Sequence, residues 1–330
     1  MTTDARARLP LLAVLGILAA VTACSTSQTP AGPPARLAAP PPRPQLMFVS
    51  VASDDTFHKV EIASSGLPGG GTFLTNLTCE RVYFGGHRGI CLNASAGEAS
   101  TTWAADIFDE RFEILHRLPL TGAPSRVRVS SDGRLAAATV FESGHSYSDH
   151  GFSTRTTVFD LTSGTSLGDL EQFETRRDAR AFEAADFNFW GVTFSRDNDT
   201  FYATLDTAGV SYLVKGSVRA RTMEVVHAGV ECPSLSPDNS RIAHKKRIGS
   251  RSRGWWQLAV LELATLQETI VTREARSVDD QVEWFDNDRV IYHLASGSTG
   301  ADLWVAAVDG SSAPVRMRAA AYSPAVVRAP

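Results

Sequence analysis

Apolar and polar residues alternate along most of the chain, and one alternating unit keeps returning. A short strand-like run is followed by a small polar turn rich in Ser, Asp, Asn and Gly, then by a second apolar run. Arg81-Val82-Tyr83-Phe84 turns through Gly85-Gly86-His87 into Ile90-Cys91. Arg126-Val127-Arg128-Val129 turns through Ser130-Ser131-Asp132-Gly133 into Leu135-Ala136. Further copies are Val192-Thr193-Phe194 before Ser195-Arg196-Asp197-Asn198, Pro233-Ser234-Leu235 before Ser236-Pro237-Asp238-Asn239, and Val282-Glu283-Trp284 before Phe285-Asp286-Asn287. A truncated sixth copy is Ala321-Tyr322-Ser323-Pro324. Alternation with period two predicts strands, and no segment sustains the 3.6-residue period of a helix. Asp and Asn hydrogen-bond their own backbone and tolerate positive φ, as Gly does freely, so each turn predicts a tight hairpin.

The apolar residue before each turn marks the repeat. Phe84, Val129, Phe194, Leu235, Trp284 and Tyr322 are spaced by 45, 65, 41, 49 and 38 residues. Most of these intervals match a four-stranded propeller blade, about 40–50 residues. Two more strand-like runs follow each copy, for example Thr156–Leu161, Leu258–Leu263 and Leu303–Val308. Leu46–Val51, His58–Ile62 and Thr72–Leu77 supply three strands without a leading one, and Ala319–Val327 at the other end reads as the missing fourth. The expected fold is therefore an all-β, six-bladed propeller over 46–330, closed by strands from both termini. Closure removes the sheet edges that an open array would expose.

The segment ahead of the repeats has a different character. Arg6 and Arg8 precede an apolar run from Leu9 to Val21, too short to span a bilayer but long enough for a signal-peptide core. Val21-Thr22-Ala23-Cys24 resembles a bacterial lipobox, which implies cleavage after residue 23 and diacylation of Cys24. Two acyl chains anchor stably where one does not. Residues 24–45 contain seven prolines and no packable apolar face, so they read as an extended tether.

The stretch Ser236-Pro237-Asp238-Asn239-Ser240-Arg241-Ile242-Ala243 and its cousins resemble the repeats of TolB-like β-propellers. Phe189-Trp190-Gly191-Val192-Thr193-Phe194, Ser143-Gly144-His145-Ser146-Tyr147 and Cys232-Pro233-Ser234-Leu235 resemble actinobacterial lipoproteins of that type. The resemblance covers about 46–330 and implies the propeller. Proteobacterial TolB carries an α/β domain before its propeller, and residues 25–45 offer no counterpart, so its partners do not transfer.

Composition narrows the function. The chain of 330 residues has 32 Lys+Arg against 36 Asp+Glu, a net charge of −4, which does not suit a nucleic-acid binder. The exception is local: Arg241, Lys245, Lys246, Arg247, Arg251 and Arg253 put six positive charges in 13 residues without an acid, and Trp255-Trp256 follows. Basic residues beside aromatics make this run a candidate contact for anionic lipid headgroups, glycans or phosphates at the membrane or cell wall; the alternative is a solvated hairpin with its tryptophans packed between blades.

Cys79 and Cys91 flank the first full hairpin. On two antiparallel strands they can face each other, and an extracytoplasmic setting favours oxidation; spacing alone leaves both the bridged and the free forms open. Gly164-Thr165-Ser166-Leu167-Gly168 matches a nucleophile elbow, but an elbow needs a helix after it, and here the pattern reads as a hairpin turn. The 65-residue interval signals insertions. Ser143–Phe152 holds His145, Asp149 and His150, better explained as a polar loop than as a metal site, and Glu171–Asp186 reads as a long surface loop with at most one helical turn.

The function expected from these features is a lipid-anchored, extracytoplasmic, monomeric propeller. It binds a protein or an envelope glycan without catalysis, metal or cofactor. The alternative is a propeller hydrolase or lyase with its site at the mouth of the central channel.

Overall fold

A computed structural model describes residues 35–329 except 67, 98–100, 145–150, 251–253 and 298–299. The expected signal segment 1–23, the lipidation residue Cys24, the loop residues His145, Asp149 and His150, and Arg251 and Arg253 lie outside the described residues.

Blade 1 contains β1 (Gln45–Ser50), β2 (Lys59–Ser64) and β3 (Thr72–Thr78). Blade 2 contains β4 (Arg81–Gly85), β5 (Arg88–Ala96), β6 (Thr101–Asp109) and β7 (Ile114–Leu120). Blade 3 contains β8 (Ala123–Val129), β9 (Leu135–Ser143), β10 (Ser153–Asp160) and β11 (Thr165–Asp169). A 3-10 turn at Leu170–Gln172 leads to β12 (Glu174–Arg177) and β13 (Arg180–Ala181). Blade 4 proper is β14 (Asn188–Phe194), β15 (Thr200–Thr207), β16 (Val210–Ser217) and β17 (Thr222–Ala228). Blade 5 is β18 (Glu231–Leu235), β19 (Arg241–Arg247), β20 (Trp256–Glu262) and β21 (Glu268–Ile270). Blade 6 is β22 (Glu283–Trp284), β23 (Arg289–Ser296), β24 (Gly300–Ala307) and β25 (Val315–Arg318), and β26 (Ala321–Val327) ends the series.

The last strand closes the ring. β26 pairs antiparallel with β1 as the innermost strand of blade 1, so blade 1 draws on both ends of the propeller. This is the closure expected from the pattern, with one change of register. Val327 pairs with Gln45 at the hairpin end, whereas Tyr322 pairs with Val49 at the opposite end. The sixth marker is therefore Val326, which pairs with Leu46 and packs toward blade 6, 42 residues after Trp284.

Each blade is buried on both sides. In β1, Leu46 and Phe48 face one way and join Ile291, Leu303 and Met317 of blade 6. Met47 and Val49 face the other way and join Val82, Phe84 and Phe108 of blade 2. The same sharing recurs between blades 2 and 3, 3 and 4, 4 and 5, and 5 and 6. Alternation thus distributes side chains between two cores rather than between core and water.

The repeated turn works as its composition suggests. Ser130 Oγ donates to Asp132 and accepts from Leu135 N, while Asp132 accepts from Arg134 N. Ser236, Asp238 and Ser240 repeat the arrangement in blade 5. The departing sequence Gly85-Gly86 has a packing reason: a Cβ on Gly85 would stand 2.2 Å from Ser130 O, so the hairpins of blades 2 and 3 meet backbone to backbone.

The expected long loop over 171–186 is a hairpin instead. β12 adds in parallel to β17 and β13 pairs outside it, giving blade 4 six strands. Phe173 packs edge-on to Phe201, and Phe182 to Tyr212. The added hairpin covers an edge that would otherwise present unpaired backbone groups.

Candidate functional site: the central channel and its mouth

The innermost strands β4, β8, β14, β18, β22 and β26 surround the axis. Since the markers pack between blades, period two turns the residue before each marker toward the channel. Those residues are Tyr83, Arg128, Thr193, Ser234 and Glu283.

Arg128 and Glu283 form an ion pair on side chains that are 5% and 4% exposed. Arg128 also donates to Ser234 Oγ at 3.2 Å and to Val282 O at 2.8 Å, and its guanidinium lies 4.7 Å from the Tyr83 ring centroid. Tyr83 Oη donates to Glu283 at 2.9 Å. Arg328, just past β26, reaches Glu283 at 3.3 Å and donates to Trp284 O. Gln281 Nε2 ties β14 to β18 by donating to Val192 O and Pro233 O. Burial works against the charge on Arg128, yet Tyr83 and Glu283 hold it above its ordinary pKa. Burial, with Glu283 beside it, keeps the Tyr83 phenol protonated well above its usual range.

A second charged tier lies along the channel. Asp280 is buried against His293 Nδ1 at 2.7 Å, with Arg81 at 4.0 Å. Burial alone would raise the Asp280 carboxyl, but His293, Arg126 and Arg81 hold it well below the carboxylate range. Asp279 pairs with Lys245 and lies 4.0 Å from Arg126.

Above the Arg128–Glu283 pair opens a cavity of about 600 Å³. Its wall is the ring of strand ends and hairpins, including Phe84, His87, Asp132, Phe194, Arg196 and Trp284. We call this end of the disc the mouth. The floor is charged but internally matched, and the rim mixes aromatic rings with exposed polar turns. Such a surface suits a docked partner. Among the described residues no group of three His, Cys, Asp or Glu side chains is placed to hold a metal.

The basic run is distributed differently from the expected solvated hairpin. β19 crosses the full depth of blade 5, so its charges do not share one face. Arg241 stays at the mouth end, 5.2 Å from the Trp284 ring and donating to Asn287 O. Lys245 is fully buried, pairs with Asp279 and sits 4.2 Å from the Trp256 ring. Lys246 pairs with Glu268. Arg247 holds Glu231 at 2.8 Å and stacks on Trp256, whose Nε1 donates to the same carboxylate. Trp256 is buried, whereas Trp255 is exposed at the turn. The acids that match these charges come from β18, β21 and 279, which a local window on 241–256 does not show.

Cys79 and Cys91 are disulfide-bonded, with a Cα–Cα distance of 5.4 Å. Gly164 lies in the hairpin between β10 and β11, and Ser166 pairs across to Phe159. That places the serine in an antiparallel hairpin rather than an elbow. The channel residues Arg128, Gln281, Glu283 and Arg328 were not singled out from sequence. A usable signal was present: a charged side chain in the inner run at the position just before a marker.

No model of a known protein family matches the chain, and no curated protein sequence matches it. Solved structures do. TolB from Acinetobacter baumannii is similar at 14% identity and TM-score 0.57, covering 86% of this chain and 67% of its own. A nidogen/laminin complex matches at 10% identity and TM-score 0.54, covering 85% and 97%. A puromycin-hydrolyzing peptidase of Mycobacterium tuberculosis matches at 13% and TM-score 0.49, covering 83% of this chain and 43% of its own. What this chain shares with TolB is the fold, a TolB-like β-propeller that here has six blades.

Proposed function

We propose that the chain is a non-catalytic binding propeller of the cell envelope, anchored by lipid at Cys24, which receives a protein or glycan partner at the mouth. The observation that carries this reading is the cavity floor. Arg128, Glu283, Tyr83 and Ser234 are paired with one another, with Arg128 Nε left without a hydrogen-bond partner among the described residues, so the floor supports the ring and leaves the rim hairpins to make contacts. Binding residues commonly sit on loops held by a rigid scaffold of this kind.

The test uses the full-length protein in native membranes. A photo-crosslinking residue at Arg196 on the rim captures a partner, and the same residue at Asp55 on the opposite face does not. Equal capture from both faces overturns the assignment of the mouth. The anchor is checked separately: a fatty-acid probe labels the wild type and not Cys24→Ala.

A further inference from the structure

The mouth cavity is lined by more cationic than anionic side chains. Its two carboxylates, Asp132 and Glu283, are both occupied. Glu283 holds Arg128 and Arg328 and accepts from the Tyr83 hydroxyl. Asp132 accepts from Ser130 Oγ and from Arg134 N within its own turn. The aspartates of the neighbouring hairpins turn back in the same way: Asp197 accepts from Asp199 N and Thr200 N, and Asp238 from Ser236 Oγ and Ser240 N.

Three arginines line the same cavity: Arg128, Arg196 and Arg328. Arg128 belongs to the floor. Arg328 lies against the floor, donating to Trp284 O and reaching Glu283, yet its side chain stays 39% exposed. Arg196 is exposed on the β14–β15 hairpin, and its guanidinium has no ion pair or hydrogen bond among the described residues. The lining therefore carries a formal charge of +1 in a chain whose net charge is −4. Walls of low dielectric focus such a field into the cleft.

The lining also has an apolar side. Phe194 and Pro237 are half-buried there, together with the buried Leu235. The other large rings are already covered: Arg241 lies 5.2 Å from the Trp284 ring and Arg43 5.4 Å from the Phe84 ring, and both rings are buried. A sugar ring stacks on an open aromatic face, and these two faces are taken. An apolar side chain needs only the patch at Phe194, Leu235 and Pro237.

We infer that the mouth receives an acidic peptide segment of a partner protein: its carboxylates pair with Arg328 and Arg196, and a neighbouring apolar side chain packs on Phe194, Leu235 and Pro237. The inference rests on the mouth site proposed above and narrows its ligand from protein or glycan to protein. A cavity of about 600 Å³ has room for a few side chains. Guanidinium groups pair with carboxylates through two parallel hydrogen bonds, so acidic side chains are the natural counterparts of both arginines.

The experiment selects a displayed library of random decapeptides on the immobilised full-length protein. The expected winners are net acidic and carry a large apolar residue. A synthetic winner, followed by fluorescence polarisation, loses about tenfold in affinity to Arg328→Gln and about fivefold to Arg196→Ser, a rim charge that solvent screens more. The winner still binds each single variant measurably, and the double variant loses about fiftyfold. Arg328→Lys, which keeps the charge beside Glu283, restores most of the loss. Arg111→Ser, on a mouth-face hairpin outside the cavity, changes nothing. Raising salt from about 50 to about 500 mM weakens binding severalfold.

Neutral or basic winners, an empty selection, or an acidic winner that the double variant binds as well as wild type overturns the inference. So does an oligoglucuronate that displaces the winner at lower concentration than the free peptide does, since the ligand is then an anionic glycan. In each of these cases the mouth itself stands if a crosslinker at 196 still captures a partner that one at 55 does not. Equal capture from both positions removes the mouth and this inference with it.

Discussion

Arg128 of blade 3 and Glu283 of blade 6 meet on the channel axis as a buried ion pair, 155 residues apart in sequence. The pair is completed by Ser234 from blade 5, Tyr83 from blade 2 and Arg328 beyond the closing strand. Four blades and the chain end thus share one electrostatic centre. Taking one partner away leaves an unmatched charge on a side chain that is at most 5% exposed.

Glu283→Leu therefore destabilises the protein by about 3–5 kcal/mol, the loss typical of an orphaned buried charge. Arg128→Met on the same background restores part of that loss, because the remaining charge is removed too. Urea unfolding of the two single variants and the double variant measures the coupling. Additive losses would show that the two side chains do not interact.

The basic strand behaves as part of the core. Lys245→Ser costs about 1–3 kcal/mol, since it strips a buried ammonium from Asp279 and from the Trp256 ring. Lys246→Ser stays within about 0.5 kcal/mol, as is usual for a half-exposed ion pair. Thermal unfolding separates the two. A neutral Lys245→Ser would return the strand to the status of a solvated face.

Reduction of the Cys79–Cys91 bond removes a constraint on a loop with a sequence separation of 12. In the chain-entropy account a loop of that size is worth about 3 kcal/mol. Denaturant midpoints with and without reductant test it, with Cys79→Ser/Cys91→Ser as the control that should no longer respond to reductant.

Glu171 gives the protein a pH dependence of known sign. Burial pushes its carboxyl up to about 8, although backbone N–H groups, including that of Thr156, pull it down. Its ordinary value is 4.5, so the folded state binds the extra proton between those limits. The contribution to stability is complete below pH 4.5 and is lost as pH rises through about 8. Glu171→Gln flattens that decline. The check is the unfolding midpoint of both proteins across pH 5–9; parallel curves would assign the decline to other groups.

Much of the fold is local and therefore legible. Period two declares strands, and Ser-x-Asp turns close hairpins through bonds made within a few residues. The marker spacing counts the blades, and Ala319–Val327 supplies the strand that blade 1 lacks. The polar insertion after Leu170 was harder to read, because the parallel pairing of β12 with β17 depends on an edge supplied 48 residues later.

The sequence by itself determined the ring, its six blades and its closure, because those follow from backbone periodicity and turn chemistry. Tertiary structure alone decided where the charges went. In β19 both faces are covered by neighbouring blades, so a run without local acids is matched by Glu231, Glu268 and Asp279 from other strands. The segment 35–44 carries no apolar face, yet Glu61, Thr72, Gly86 and Glu110 hold it down. In both cases the deciding interaction is polar and long-range, and neither periodicity nor composition encodes the partner of an arginine.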